Sequence, residues 1–347
     1  MRRAFLRMCA GLGVLALRPA FLRAADQDNW TIFKRKFLRG ERIADTGNGD
    51  VSHSESQGWG MLFAEDNNDR ETFQKLWEWT SSKLQRPDGL FSWRWSPKGP
   101  EPVADKNNAA DGDILIAWAL ARAAKRWDDQ RLASESQGIR TAIVDHLAVE
   151  LHGGRRILLP GVQGFARKDS RIVNLSYYVW PAIAAFASMA GDTGGAWRRL
   201  QTDGLSLLDR AAFGTFHLPP DWLLAGDHEL KIADGWPPQF GFDAVRIPLY
   251  LAWHNDAPRL GRFLAFWRTP KFGGKPPAWI NLRDDSVAPF PAPGGYTAIF
   301  ALCQFVGEGF KTSAPLAGIV DSDDYYSASL KLLSNMAARD APTVARP

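Results

Sequence analysis

Eleven stretches of this 347-residue chain carry apolar residues three and four positions apart, and that recurring helical period limits the fold more than any other feature. They cover residues 27–38, 55–66, 69–83, 111–127, 130–151, 175–190, 194–211, 242–255, 258–268, 295–307 and 325–338. In 69–83, for instance, Phe73, Leu76 and Trp77 share one stripe with Leu84 just beyond it, and Asp69 is placed to cap the helix. Pairs such as 55–66 with 69–83, and 111–127 with 130–151, have only short links between them, as antiparallel helix hairpins require. Strand signals are few. Between the pairs run long connections rich in Gly, Pro and Trp, among them "ADGWPPQFG" and "RPDGLFSWRWSPKGPEPVADKNN". Loops of that length in a compact domain usually carry function. The pattern predicts an all-α fold. With no break in composition, it forms a single domain over residues 26–340, followed by a flexible tail at 341–347.

Charge narrows the function. The formal net charge of +4 comes from Arg2, Arg3, Arg7, Arg18 and Arg23, in a 25-residue opening that holds no Asp or Glu. The remainder, with 37 basic against 38 acidic residues, has no electrostatic case for binding nucleic acid. The opening itself has a basic start, a short apolar run and small residues at Ala24 and Ala25, the anatomy of an export signal peptide over residues 1–25. "RRAFLR" fits either a twin-arginine signal or the basic start of a general secretory leader; both lead to the periplasm or beyond. Arg18 and Pro19 interrupt the run, which is too short to span a membrane, so no stable membrane insertion is expected. Cys9 falls in the leader, leaving Cys303 in the apolar "AIFALCQF" as a packed core thiol with no partner for a disulfide.

Chemical signatures are conspicuous by type. There is no HExxH, CxxC, GxxxxGK[ST] or GxSxG, and no histidine pair at ligand spacing. "DSDDYY" at 321–326 begins like a calcium loop but lacks its glycine and closing glutamate, so no metal or other cofactor is expected. Of fifteen tryptophans, Trp93, Trp95, Trp222, Trp236 and Trp279 sit in the polar connections. Half-exposed indoles either plug helix ends or offer flat apolar faces to pyranose rings.

Three acids stand in unusual company. Glu55, in "SHSESQGWGMLFA", opens an apolar helix that Ser52 or Ser54 can cap, and Trp59 lies one turn on along the same face. Partial desolvation there raises a carboxyl pKa and keeps a proton donor charged with its proton. The small Ser56, Gly58 and Gly60 let something approach closely. Asp111 and Asp113 open the nearly apolar helix of "NNAADGDILIAWALARAAKRW"; they read equally as cap and first-turn acids or as groups on the rim of a site. Asp243, in "FGFDAVRIPLYLAW", precedes Arg246 by one turn, and a cation at that distance favours an ionised carboxylate, a candidate base or one half of a surface ion pair.

Two carboxyls pushed in opposite directions point to glycoside hydrolysis. "SHSESQGWGMLFA", "AADGDILIAWALARAAKRW", "NLSYY" at 174–178 and "FDAVRIP" at 242–248, in this order and spacing, resemble glycoside hydrolase family 8, above all its short periplasmic β-1,4-glucanases from bacterial cellulose-synthesis operons. The resemblance implies an (α/α)6 barrel of six inner and six outer helices and inverting, endo-acting cleavage of β-1,4-glucan. It implies Glu55 as general acid, Asp243 as general base, Asp111 as hydrogen-bond partner of the distorted sugar and Tyr177 beside that sugar. Trp59, Trp93, Trp95 and Trp236 are expected to bind substrate, with Arg246 tuning Asp243. The chain departs from the family pattern at Ala110 and Ala121, packing changes near Asp111, and at Leu175, a place commonly held by proline. The expected partner is the polysaccharide, cut by a monomer that can associate with a cellulose synthase complex. Other family substrates are chitosan, xylan and other exopolysaccharides, chitosan being favoured by the acidic "RDDS" at 283–286. A non-catalytic glycan-binding protein is the remaining alternative.

Overall fold

The computed structural model describes residues 20–151, 153–189, 193–226 and 229–341, with the backbone alone for 20–27. Each periodic stretch overlaps one of the eleven α-helices among these residues. They are α1 (Ala20–Phe37), α2 (Ser54–Asp66), α3 (Arg70–Leu84), α4 (Ala110–Trp127), α5 (Gln130–Leu147), α6 (Trp180–Ser188), α7 (Gly194–Arg210), α8 (Arg246–Trp253), α9 (Gly261–Trp267), α10 (Gly294–Gly307) and α11 (Tyr325–Asp340). Of the leader expected at 1–25, residues 20–25 form the start of α1 and the rest lie outside the described residues, as does the expected tail beyond Ala341.

Burial sorts the helices into two shells. Along α4 every residue from Ala110 to Leu120 is buried, and along α11 every residue from Tyr325 to Ala338 except Tyr326. A helix apolar on all sides belongs inside other helices. By contrast, α3 buries only Phe73, Leu76, Trp77, Thr80 and Leu84, a single stripe. The inner helices α2, α4, α6, α8, α10 and α11 touch in that order, and α11 returns to α2, so the ring closes. Outside it, α3, α5 and α7 back the helices that precede them, α9 backs α10, and α1 backs α11. This is an (α/α)6 barrel with one amendment. Where a sixth outer helix was expected, residues 311–324 run without helix, held by the side chains of Asn29, Asn335 and Lys331. Pro315 and Gly318 explain the break, since proline removes a helical donor and glycine has the highest backbone entropy to lose.

The two ends of the ring differ. At the end where α2 and α11 finish, Glu65 accepts from Arg122 Nε at 2.7 Å and from Arg126 Nε, Arg122 also pairs with Asp340 at 2.9 Å, and Arg339 pairs with Asp66. At the other end lie the first turns of α2, α4 and α8 and the long connections. Here Ser52–His53 pairs with Arg94–Trp95 in a short antiparallel ribbon, and 170–173, 223–226 and 230–232 form a three-stranded sheet.

Glycine sets the α2–α4 distance. A Cβ on Gly58 would fall 2.6 Å from Leu115 Cβ, and one on Gly112 would fall 2.1 Å from Ser54 Oγ and 2.8 Å from the Glu55 nitrogen. What the small residues admit is therefore the neighbouring helix. The cap also differs from expectation: Ser52 Oγ donates to the Ile43 carbonyl, while Ser56 Oγ accepts from His53 N at 2.9 Å and donates to His53 O at 2.7 Å. Asp69 does cap α3, accepting from Thr72 N at 3.1 Å. Replacing Gly112 with alanine should cost about 1–3 kcal/mol, as overpacking of a close contact does. The loss is read as a lowered denaturant midpoint at unchanged m-value; an unaltered midpoint would show that the two helices separate freely.

Candidate active site

Four inner helices deliver polar groups to one point at the open end. Glu55 stands in the first turn of α2 and Asp111 in the first turn of α4, while Asp243 lies in the turn just ahead of α8. Arg246, the first residue of α8, reaches all three. Its Nη2 lies 3.2 Å from Asp243 Oδ1 and 3.4 Å from Asp111 Oδ2, and its Nε lies 3.5 Å from Glu55 Oε1. Nη2 also donates to Ser176 Oγ at 3.0 Å, and Nη1 to the Tyr326 hydroxyl at 3.4 Å. The guanidinium further faces the Tyr177 ring, 5.9 Å from its centroid. Sequence alone assigned Arg246 to Asp243; in the fold it serves three carboxyls at once.

The setting is dry but not closed. Side-chain exposure is 6% for Arg246, 5% for Asp111, 18% for Glu55 and 29% for Asp243, so the acids nearest solvent are the two expected to exchange protons. Burial pushes the Glu55 carboxyl well above the usual range; Arg246 pulls it back, while the Asp111 charge and a hydrogen bond shared with Asp111 push it further. Burial likewise raises Asp111, against the lowering effect of Arg246 and of the Gly112 amide at 2.8 Å. Tyr177 is held as a neutral phenol by burial and by the Asp111 and Asp243 charges. The Glu55 Oε1 and Arg246 Nε atoms are buried, and neither has a hydrogen-bond partner among the described residues.

Asp113 separates from this group. Its carboxylate accepts from Phe91 N at 2.8 Å and Asn108 Nδ2 at 2.7 Å, fastening the long 85–109 connection to α4. Burial raises it to about 8. Between the two readings of the α4 acids, Asp113 is the structural one and Asp111 faces the site.

The aromatic residues divide too. Trp59 is fully buried, its ring against Tyr325 at 6.3 Å and Tyr326 at 6.2 Å, so it offers no face to a sugar. It belongs instead to the apolar surround that desolvates Glu55. Trp93 is half-buried beside the site, parallel to His53 at 5.9 Å, with its indole N–H on Asp105 at 2.8 Å. Trp95 is spent on Trp79, edge to face at 5.5 Å, and lies beneath the Arg42 guanidinium at 4.5 Å. Trp236 stacks on Trp222 at 4.8 Å, Trp222 on Phe165 at 5.8 Å, and Tyr177 meets the edge of Trp222 at 6.1 Å, so an aromatic wall runs out from the carboxyl cluster. Cys303 is buried, as its apolar context predicts. The acids of "RDDS" hold hydrogen bonds near the surface: Asp284 accepts from Ser286 N at 2.9 Å, and Asp285 accepts from Thr215 Oγ1, a residue distant in sequence.

Removing Arg246 leaves three acids without their shared cation. The Arg246→Ala variant should lose about 3–5 kcal/mol of stability near neutrality, the cost of orphaning buried charge. Asp111 has a folded-state pKa that burial raises and that rises further without the cation, so the deficit should shrink as pH falls and this carboxyl takes up a proton. Chemical denaturation at neutral and mildly acidic pH measures it; a deficit independent of pH would contradict the electrostatic origin.

Comparison with known proteins agrees with this architecture. Residues 9–340 match the family described as glycosyl hydrolases family 8. The endoglucanase of Cellulomonas uda is 46% identical over 285 residues, covering 80% of this chain and 77% of its own, and a probable endoglucanase of Novacetimonas hansenii is 41% identical over 93% and 94%. Among solved structures, a family 8 endoglucanase from Klebsiella pneumoniae superposes with a TM-score of 0.84 at 45% identity, covering 90% of this chain and 99% of its own. The endo-β-1,4-glucanase CMCax from Acetobacter xylinum does so with a TM-score of 0.83 at 40% identity, over 92% and 98%. With its helix ring, its ordered motifs and these relatives in agreement, the chain belongs to glycoside hydrolase family 8.

Proposed function

We propose that the protein is an endo-acting hydrolase of β-1,4-glucosidic bonds in cellulose-like glucan, working with inversion at the anomeric carbon. The observation that carries this reading is the convergence of Glu55, Asp111 and Asp243 on the one buried guanidinium of Arg246. Glu55, whose carboxyl is pushed well above its usual range toward the protonated form by burial, gives its proton to the departing glycosidic oxygen. Asp243, the most exposed of the three and in contact with Arg246, accepts a proton from the water that attacks the opposite face of the ring. Asp111 and Tyr177 hold the sugar at the cleavage point. Both reacting carboxyls touch one planar guanidinium, which keeps their oxygens within about 9 Å, below the roughly 9.5 Å ceiling of an inverting pair. The wall of Phe165, Trp222 and Trp236 provides rigid faces for further sugar units, at little rotamer cost.

Relatives named endoglucanase, at 40–46% identity over most of both chains, support glucan as the substrate. The basic, apolar opening supports export to the periplasm, where the enzyme works as a monomer alongside cellulose synthesis, in reach of a synthase complex.

Release of reducing ends from carboxymethylcellulose should exceed release from chitosan and xylan when the three are compared side by side. Glu55→Gln should lower kcat by about 10²–10⁴-fold, with cello-oligosaccharide binding retained. Freshly released ends, observed by proton NMR before mutarotation, should be α-anomers. Release of β-anomers would overturn inversion, and binding without turnover in the unaltered protein would favour the glycan-binding alternative.

A further inference from the structure

Asp221 attracts notice because it is a buried acid that touches none of the carboxyl cluster's hydrogen bonds, yet three donors converge on it. Its Oδ1 accepts from Gly241 N at 2.9 Å and from Ala244 N at 2.8 Å, and its Oδ2 accepts from Gln239 Nε2 at 3.0 Å. Its own backbone N donates to Gln239 O at 2.7 Å. The two backbone amides flank Asp243 on either side, so the carboxylate grips the turn that carries the proposed base. That turn has no helix to hold it, since α8 begins only at Arg246. The grip is tight: a Cβ on Gly241 would lie 2.9 Å from Asp221 Oδ2 and 2.6 Å from Gln239 Nε2.

The next residue extends the connection. Trp222 is the middle ring of the aromatic wall, between Phe165 and Trp236, and its edge meets Tyr177. Residues 221 and 222 therefore fasten the sugar-binding wall and the base-bearing turn to the same point of the chain. The arrangement works against a cost. Burial first, and the Asp243 charge second, push Asp221 up to about 7, so the fold sets two acids near each other where a neutral side chain would avoid the repulsion. Three converging donors offset that cost and give the acid a place.

We infer that Asp221 is a positioning residue for the reaction: it fixes the turn bearing Asp243 so that the carboxylate meets the attacking water, and it registers that turn to the aromatic wall. The inference rests on the reading of Asp243 as general base. Asp221→Ala removes the acceptor and frees the turn; Asp221→Asn keeps a carbonyl oxygen for both backbone amides while discarding the charge.

The test compares both variants with the unaltered enzyme on soluble carboxymethylcellulose, together with Asp243→Asn. Asp221→Ala should lose up to about 100-fold in kcat, the penalty of a reacting group displaced by about 1 Å, with KM close to that of the parent and a lowered melting temperature, because two buried amides lose their acceptor. Asp221→Asn should recover most of the lost kcat. A parental kcat in Asp221→Ala, or an Asn variant as impaired as the Ala variant, overturns the inference. Should the Ala variant fail to fold, Gly241→Ala crowds the same clasp from its other side and should reproduce the kcat loss at retained KM; an unchanged kcat there counts against it. If Asp243→Asn itself stays active, the base assignment fails. If Asp243→Asn is inactive while Asp221→Ala is unimpaired, only the positioning role falls.

Discussion

A lone arginine side chain, almost entirely withdrawn from water, lies against three carboxyl groups supplied by parts of the chain far apart in sequence. Taken singly, a buried cation and a buried acid each cost several kcal/mol to desolvate, and their attraction offsets this only where the geometry is good. Arg246 also meets the Ser176 and Tyr326 hydroxyls and the Tyr177 ring, which helps Glu55 and Asp111 to sit where water would otherwise be needed. Its effect is not to ionise every acid. Burial dominates at Glu55 and Asp111, and both remain above their ordinary range in spite of the cation. The site thereby favours the protonated form at its buried end and leaves its most accessible acid beside the positive charge.

The barrel is what brings these groups together. Because the inner helices surround a common axis with several first turns at one end, each can place a residue over the opening. Helix N-termini carry a partial positive charge that favours acids there, so the fold tolerates acids at this rim more readily than elsewhere. The opposite rim is closed by the Glu65, Arg122, Arg126 and Asp340 network, which ties α2, α4 and α11 and keeps chemistry at one end only. Between the ends, Gly58 and Gly112 bring α2 against α4 closely enough for the Asp111 carboxyl to raise the pKa of Glu55.

Much of this was legible in the sequence, for a physical reason. Each helix that buries a face must repeat apolar residues near every third and fourth position, so all eleven helices announced themselves locally. Glu55 and Asp111 were visible as acids opening apolar helices, and Asp243 through the arginine one turn on. Trp59 misled because spacing places it on the Glu55 face without saying whether that face meets a cavity or two tyrosines; it meets Tyr325 and Tyr326. The irregular 311–324 segment, the reach of Arg246 to three acids, and the roles of Ser176, Tyr326 and Asp221 depend on contacts between distant residues, which no local period encodes. Asp221 in "LPPDW" gives no signal at all, while Tyr326 hid in a segment notable only for its acids.

The central claim is that Glu55 keeps its proton at neutral pH while embedded beside a full positive charge. Infrared difference spectroscopy of the resting enzyme, unaltered protein minus Glu55→Gln at neutral pH, addresses it without relying on turnover. A protonated-carboxyl C=O band present in the unaltered protein and missing from the variant is the predicted result. A difference spectrum showing instead only the loss of an ionised carboxylate would mean that Arg246 outweighs burial, and the proton donor of the mechanism would be absent.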